Sequence, residues 1–207
     1  MALRRSSDAT MLREVVEREY PRDAAGLAEQ LEDPDASVRR RAARDLALDP
    51  ANAPVLGRRL QEEADPGVRE ALFTALTGHP GEAVVEVLLG LLRSEDAGLR
   101  NGAIEALAAM PRVVGPRVAA MLRDPDSDVR IFTVNLLGDL RHSHVAQWLL
   151  QVLLYDAEVN VVCAAVEVLA EVGTATEVPA LRAAAQRFPD DPFVDFAVQM
   201  AVERIAA

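Results

Sequence analysis

Four groups of residues in this 207-residue chain are of types that do chemistry. His142 and His144 stand two apart, a spacing at which two imidazoles can reach for one metal ion. Asp124, Asp126 and Asp128 alternate as the first carboxylates of a calcium loop do. Cys163 is the only thiol, and Arg39, Arg40, Arg41 and Arg44 concentrate guanidinium groups suited to carboxylates or phosphates. None of the four completes a constellation. The histidine pair has no third ligand nearby in sequence, Ser143 between them reads as a helix cap, and His79 before Pro80 adds nothing. The aspartate run has Val129 where a calcium loop needs its sixth-position Gly and Asn135 where it needs its final Glu, so it reads as a helix-capping turn. Cys163 lies among Val161, Val162, Ala164 and Ala165, where burial makes a thiol inert, and no histidine or lysine is placed to activate it. No Gly-rich phosphate loop, Ser-His-Asp ordering or HExxH motif occurs. No catalytic residue, metal or cofactor is therefore expected.

The elements that must position these residues repeat. Five stretches, 33–46, 63–76, 94–107, 124–137 and 156–169, recur every 30 to 32 residues. Each opens helically at an apolar residue (Val38, Val68, Leu99, Val129, Val161), with an acidic residue three positions before and Leu eight positions after. Small or apolar residues fill the positions four and five after it, which makes one helical face. Between these stretches a second helical pattern recurs at 24–32, 53–62, 82–93, 116–123, 143–155 and 177–188. The unit is helix, acidic turn, helix, with Asp35, Asp65, Asp96 and Asp126 as N-caps and Pro66 at a first helical position. Gly78, Gly138 and Gly173 read as left-handed residues just beyond the second helix. Residues 8–20 read as a further helix covering the first repeat. Self-similarity of this length means an all-α solenoid, one domain over 1–207, with repeats at about 24–48, 53–78, 82–110, 116–140, 143–172 and 177–205. At roughly 8 to 10 Å between packed helices it would form a curved rod on the order of 50 Å long.

The turn aspartates, the Val-Arg pairs Val38-Arg39, Val68-Arg69 and Val129-Arg130, the kindred Leu99-Arg100, and the Ala-rich middles closed by Leu resemble the HEAT repeat. The similarity is to the short variety named after the phycobilisome lyases, and it spans about 24–205. It implies a ladder between repeats built from Asp35, Arg39, Asp65, Arg69, Asp96, Arg100, Asp126 and Arg130. The fifth repeat departs from the pattern with Val162, and a sixth, 190–202, keeps only Asp191 and Val194. Members of the wider family that are hydroxylases use His-Glu pairs, and no histidine here is followed by Glu. Glycosylases of this build need cationic, aromatic-lined grooves. A lyase or isomerase role is the alternative the resemblance carries, without a residue that marks a bilin site.

Charge and composition narrow the partner. The net charge is −11, all 22 basic residues are Arg, and eleven of them fall in 1–60 against an equal number of acidic residues. The later repeats carry the acidity, which disfavours nucleic acid. No apolar run of membrane-spanning length and no secretory leader pattern is present, so a cytoplasmic, bacterial protein without a membrane role is expected. What remains is a surface. Positions two, three and six after the opening apolar residue read Arg40, Arg41, Arg44; Glu70, Ala71, Thr74; Asn101, Gly102, Glu105; Ile131, Phe132, Asn135; then Cys163, Ala164, Glu167. This row, basic at one end and apolar at Ile131 and Phe132, is expected to bind a protein or peptide. Phe132 packed between repeats, and the arginines as a solvated face, are the plainer alternatives. Trp148 reads as core or outer surface.

Overall fold

The computed structural model describes Pro21 and Asp23–Ala206, so the helix expected over 8–20 lies outside the described residues. Twelve α-helices follow one another as six pairs, with no strand among the described residues. The pairs are α1 (Ala24–Gln30) with α2 (Ala36–Leu46), α3 (Ala53–Glu62) with α4 (Pro66–Thr77), and α5 (Glu82–Leu91) with α6 (Ala97–Ala108). They continue as α7 (Pro111–Met121) with α8 (Ser127–Asp139), α9 (Val145–Tyr155) with α10 (Val159–Val172), and α11 (Val178–Arg187) with α12 (Pro192–Ala206). Each second helix packs on the next, from α2 through α4, α6, α8 and α10 to α12. First helices form the other layer, α3 on α5, α5 on α7 and α9 on α11. The molecule is an α-solenoid.

The turns start the second helices as their chemistry requires. The Asp35 carboxylate accepts the Ser37 N–H at 2.7 Å, Asp65 that of Val68 at 2.9 Å, Asp96 that of Gly98 at 2.8 Å and Asp126 that of Asp128 at 2.9 Å. Each such cap satisfies one of the N–H groups that a helix start leaves without an intrahelical partner. The repeating face is buried where the spacing puts it: Val68, Leu72 and Leu76; Leu99, Ala103 and Leu107; Val129 and Leu137; Val161, Ala165 and Leu169. Thr133 occupies one of these core positions and satisfies its hydroxyl by donating to the Val129 carbonyl at 2.7 Å.

Two local expectations are corrected. Helix α7 begins at Pro111, five residues before the expected Pro116, which lies inside it. Pro111 suits the first helical position, and the fully buried Val114 and Val118 continue one apolar stripe across Pro116, so packing overrides the interior proline. The glycines are not left-handed caps, because no described residue has positive φ. Gly78 is right-handed helical, Gly138 lies within α8 and Gly173 is extended. Gly173 is required by close approach instead: a Cβ there would collide with the Leu169 carbonyl oxygen.

Candidate functional site

A second polar position, five residues before the opening apolar residue and acidic in four repeats, organises the first five turns. Asp33, Glu63, Ser94, Asp124 and Asp156 stand there, and the side chain of each accepts the backbone N–H two residues on, at 2.8 to 3.2 Å. Their carbonyls accept from the arginine of the same repeat: Arg39 to Asp33, Arg69 to Glu63, Arg100 to Ser94 and Arg130 to Asp124. The ladder between repeats is then decided by which carboxylate comes next. Arg39 reaches Glu63, at 2.7 and 2.9 Å, and not Asp65. Arg130 reaches Asp156 at 2.8 and 3.1 Å. Arg69 meets a serine at that position and pairs with Asp96 at 2.7 Å. Arg100 forms no ion pair among the described residues, because Arg93 already holds Asp124 and Asp126; its guanidinium lies 5.2 Å from the Phe132 ring centroid. Asp35 serves as a cap. Where Val162 replaces the fifth arginine, Arg187 of α11 donates to the Leu153 and Asp156 carbonyls.

Glu63 is the buried centre of this system, 1% exposed and shared by Arg39 and Arg59. Burial pushes its pKa up, but the Arg39 bonds, the Asp65 N–H and Arg59 outweigh burial and hold it at about 2. The same pairing raises Arg39, as Asp156 raises Arg130, and the Arg69 bond lowers Asp96. The turn edge is a structural device whose charges satisfy one another.

The face of the second helices differs. Arg40, Arg41, Arg44, Glu70, Asn101, Glu105 and Asn135 are exposed there. Arg40, Arg44, Glu70 and Thr74 line a groove between α2 and α4, and Asn101, Glu105, Asn135 and Asp139 line another between α6 and α8. Arg41 does not reach the first groove. Ile131 and Phe132 are half-buried against the core, with Phe132 turned toward the preceding repeat beneath Arg100, so neither stands out as an exposed anchor. The position three after the opening residue faces the previous repeat generally: a Cβ on Gly102 would strike the Phe73 ring. The outward register is thus one before, two after and six after, although the second of these is half-buried at Ile131 and buried at Cys163. In the sixth repeat, where the motif is weakest, that register holds Phe193, Phe196 and Met200, all exposed. Asp191 and Val194 were the markers that align it.

The other candidates resolve into structure. His142 stacks on Trp148 with ring centroids 4.7 Å apart, His144 meets the same indole edge-on, and the His144 N–H donates to His142 Nδ1 at 3.2 Å. Trp148 is core. Asp124, Asp126 and Asp128 form the α8 turn, and no group of three or more metal-binding side chains is assembled among the described residues. Cys163 is buried, and burial pushes its thiol up. No helix among the described residues is long and apolar enough to cross a membrane.

Comparison with known proteins agrees with this architecture. A family model described as HEAT repeats matches residues 24–108, 53–124 and 114–203. The match is to HEAT repeats at large and does not single out the short phycobilisome-lyase kind. No curated protein matches. Among solved structures the chain is similar to an engineered protein at 22% identity, covering 87% of this chain and 95% of that one, with a TM-score of 0.37. It is similar to a designed armadillo repeat protein at 17% identity, 86% and 98% coverage and a TM-score of 0.38. Similarity to Cex1p is at 16% identity over 87% of this chain and 42% of that one, with a TM-score of 0.46.

Proposed function

The chain belongs to the HEAT repeat family, and from that premise we propose that it is a non-catalytic scaffold holding a protein or peptide along the face of its second helices. The observation that carries this reading is a separation of charges. At the turn edge, Arg39, Arg59, Arg69, Arg93 and Arg130 are each committed to a carboxylate of the array. On the second-helix face, Arg40, Arg41 and Arg44 at one end and Glu70, Glu105, Asp128 and Glu167 beyond them form no ion pair among the described residues. Charges that the described residues leave out of ion pairs, set in order along a row with grooves between helices, are suited to steering and registering a complementary chain. Many weak contacts on a rigid frame supply the affinity, and no bond is made or broken.

The test is a pull-down from native extract with the wild type and with an Arg40→Glu/Arg44→Glu double variant. Arg58→Glu, an exposed position on α3, serves as the control. Recovery of specific partners should fall at least about tenfold in the double variant and stay unchanged in the control, as loss of central charged contacts does elsewhere. Equal recovery by all three proteins, with unaltered helical circular dichroism, would remove this face as the binding surface.

A further inference from the structure

The apolar end of the second-helix row lies on α12. Phe193, Phe196 and Met200 are 59%, 58% and 41% exposed, and their spacing of three and four sets them in one stripe. Their buried counterparts on the same helix, Val194, Val198 and Ala201, face α10 and α11, so the stripe is left over after packing is complete. At the matching register α10 carries the exposed Asn160 and Glu167 with the buried Cys163 between them, and α8 carries the exposed Asp128 and Asn135 with the half-buried Ile131. On the side of the row the stripe is therefore followed by Glu167 on α10 and, one helix further, Asp128 on α8, neither of which forms an ion pair among the described residues. Arg204 on α12 is paired with Glu171 at 2.6 Å, and Arg182 on α11 lies across the groove that Asp195 and Glu203 line on the other side of α12.

We infer that α12 and the adjoining rim of α10 form a docking subsite for a short linear peptide segment of a protein partner, with apolar side chains set against Phe193, Phe196 and Met200 and basic side chains toward Glu167 and Asp128. This rests on the scaffold reading above and specifies its ligand. Charge complementarity selects basic residues, because the exposed charge that α10 carries along the row beside the stripe is the Glu167 carboxylate, with Asp128 beyond it on α8. Size selects a short segment: two aromatic side chains and a methionine partly exposed offer on the order of 300 Å² of apolar surface. A stable pair of protein surfaces needs about 800 Å² from each side, which disfavours a second copy of this chain. The acidic border, with Asp195 and Glu203 on α12 itself, disfavours an anionic lipid surface.

Random linear peptides displayed on phage and panned on the full chain test the subsite without presuming a partner. Enriched sequences should carry basic residues next to Phe, Leu, Ile or Trp. Fluorescently labelled versions should lose at least about tenfold in affinity for Phe196→Asp and several-fold for Glu167→Lys, with circular dichroism and melting unchanged. Enrichment of no sequence, enrichment without that order, or equal affinity for Phe196→Asp would overturn the inference. So would a wild-type dimer in light scattering that Phe196→Asp abolishes, or flotation with phosphatidylcholine–phosphatidylserine vesicles. Peptides indifferent to Phe196→Asp but weakened by Arg40→Glu/Arg44→Glu sink the subsite and leave the scaffold reading intact. Peptides indifferent to both sets of variants sink both.

Discussion

Glu63 shows how one side chain ties two repeats together. Its carboxylate accepts from Arg39 of the preceding repeat, from Arg59 of α3 and from the Asp65 N–H of its own turn. A group whose folded pKa is held at about 2, below the ordinary value of 4.5, stabilises the fold fully above 4.5. That contribution fades as pH falls through the window down to about 2. Glu63→Gln keeps the shape but removes the charge that both arginines share. It should cost about 2 to 4 kcal/mol at neutral pH, as breaking a buried pair does. It should also flatten the loss of stability between pH 4.5 and 2, measured by urea unfolding at a series of pH values; an unchanged acid limb would place the acid sensitivity elsewhere. The aspartate caps were legible in the sequence because three-residue spacing to an apolar helix start has a known geometry. The role of Glu63 was not, because its position is filled by Asp, Glu or Ser in different repeats, and only the hydrogen bond to the N–H two residues on shows that these are equivalent. The substitution of Arg187 for the missing fifth arginine was likewise beyond reach, since it comes from a different helix.

Among the helices, α7 and α12 are those whose sequence and conformation diverge most from the repeat. Pro116 has no N–H to give the Arg112 carbonyl, and a proline in a helix interior costs about 3 kcal/mol. Helix α7 forms regardless because Val114 and Val118 are fully buried on either side of it. Local breaker signals placed the helix start too late, since burial across a proline is a tertiary effect. Pro116→Ala restores the missing donor at an exposed position and should stabilise the protein by about 1 to 3 kcal/mol. The midpoint of thermal unfolding should then rise by several degrees. A fall would mean that the proline itself helps α7 to seat against α5, α6 and α8. On α12, the fading of the motif concealed that Phe193, Phe196 and Met200 continue the register of Arg40 and Arg44. The apolar anchor was sought at Phe132, whose ring serves as a platform for Arg100 instead.

At the scale of the molecule, the thirty-residue period alone implied the solenoid, because no unit can bury its apolar face without the next. Among the described residues the main contacts run within a pair of helices or between neighbouring pairs, so stability should behave as a chain of interfaces in series. A lesion in the middle then acts differently from one at an end. Leu107, fully buried in α6, is held between the third repeat and its neighbours, and Leu107→Ala should cost about 2 to 5 kcal/mol. Val198 in α12 lies on the face packed against α10 and α11, and Val198→Ala, the smaller truncation, should cost less. The distinction is spatial as well as energetic. Hydrogen exchange read by mass spectrometry should show α5 through α8 losing protection in Leu107→Ala while α2 and α10 retain more of theirs. In Val198→Ala the loss should be confined to α11 and α12. Uniform loss across all helices in both variants would show a single cooperative unit, in which the rigidity proposed for the binding row arises from global packing and not from the sum of adjacent interfaces.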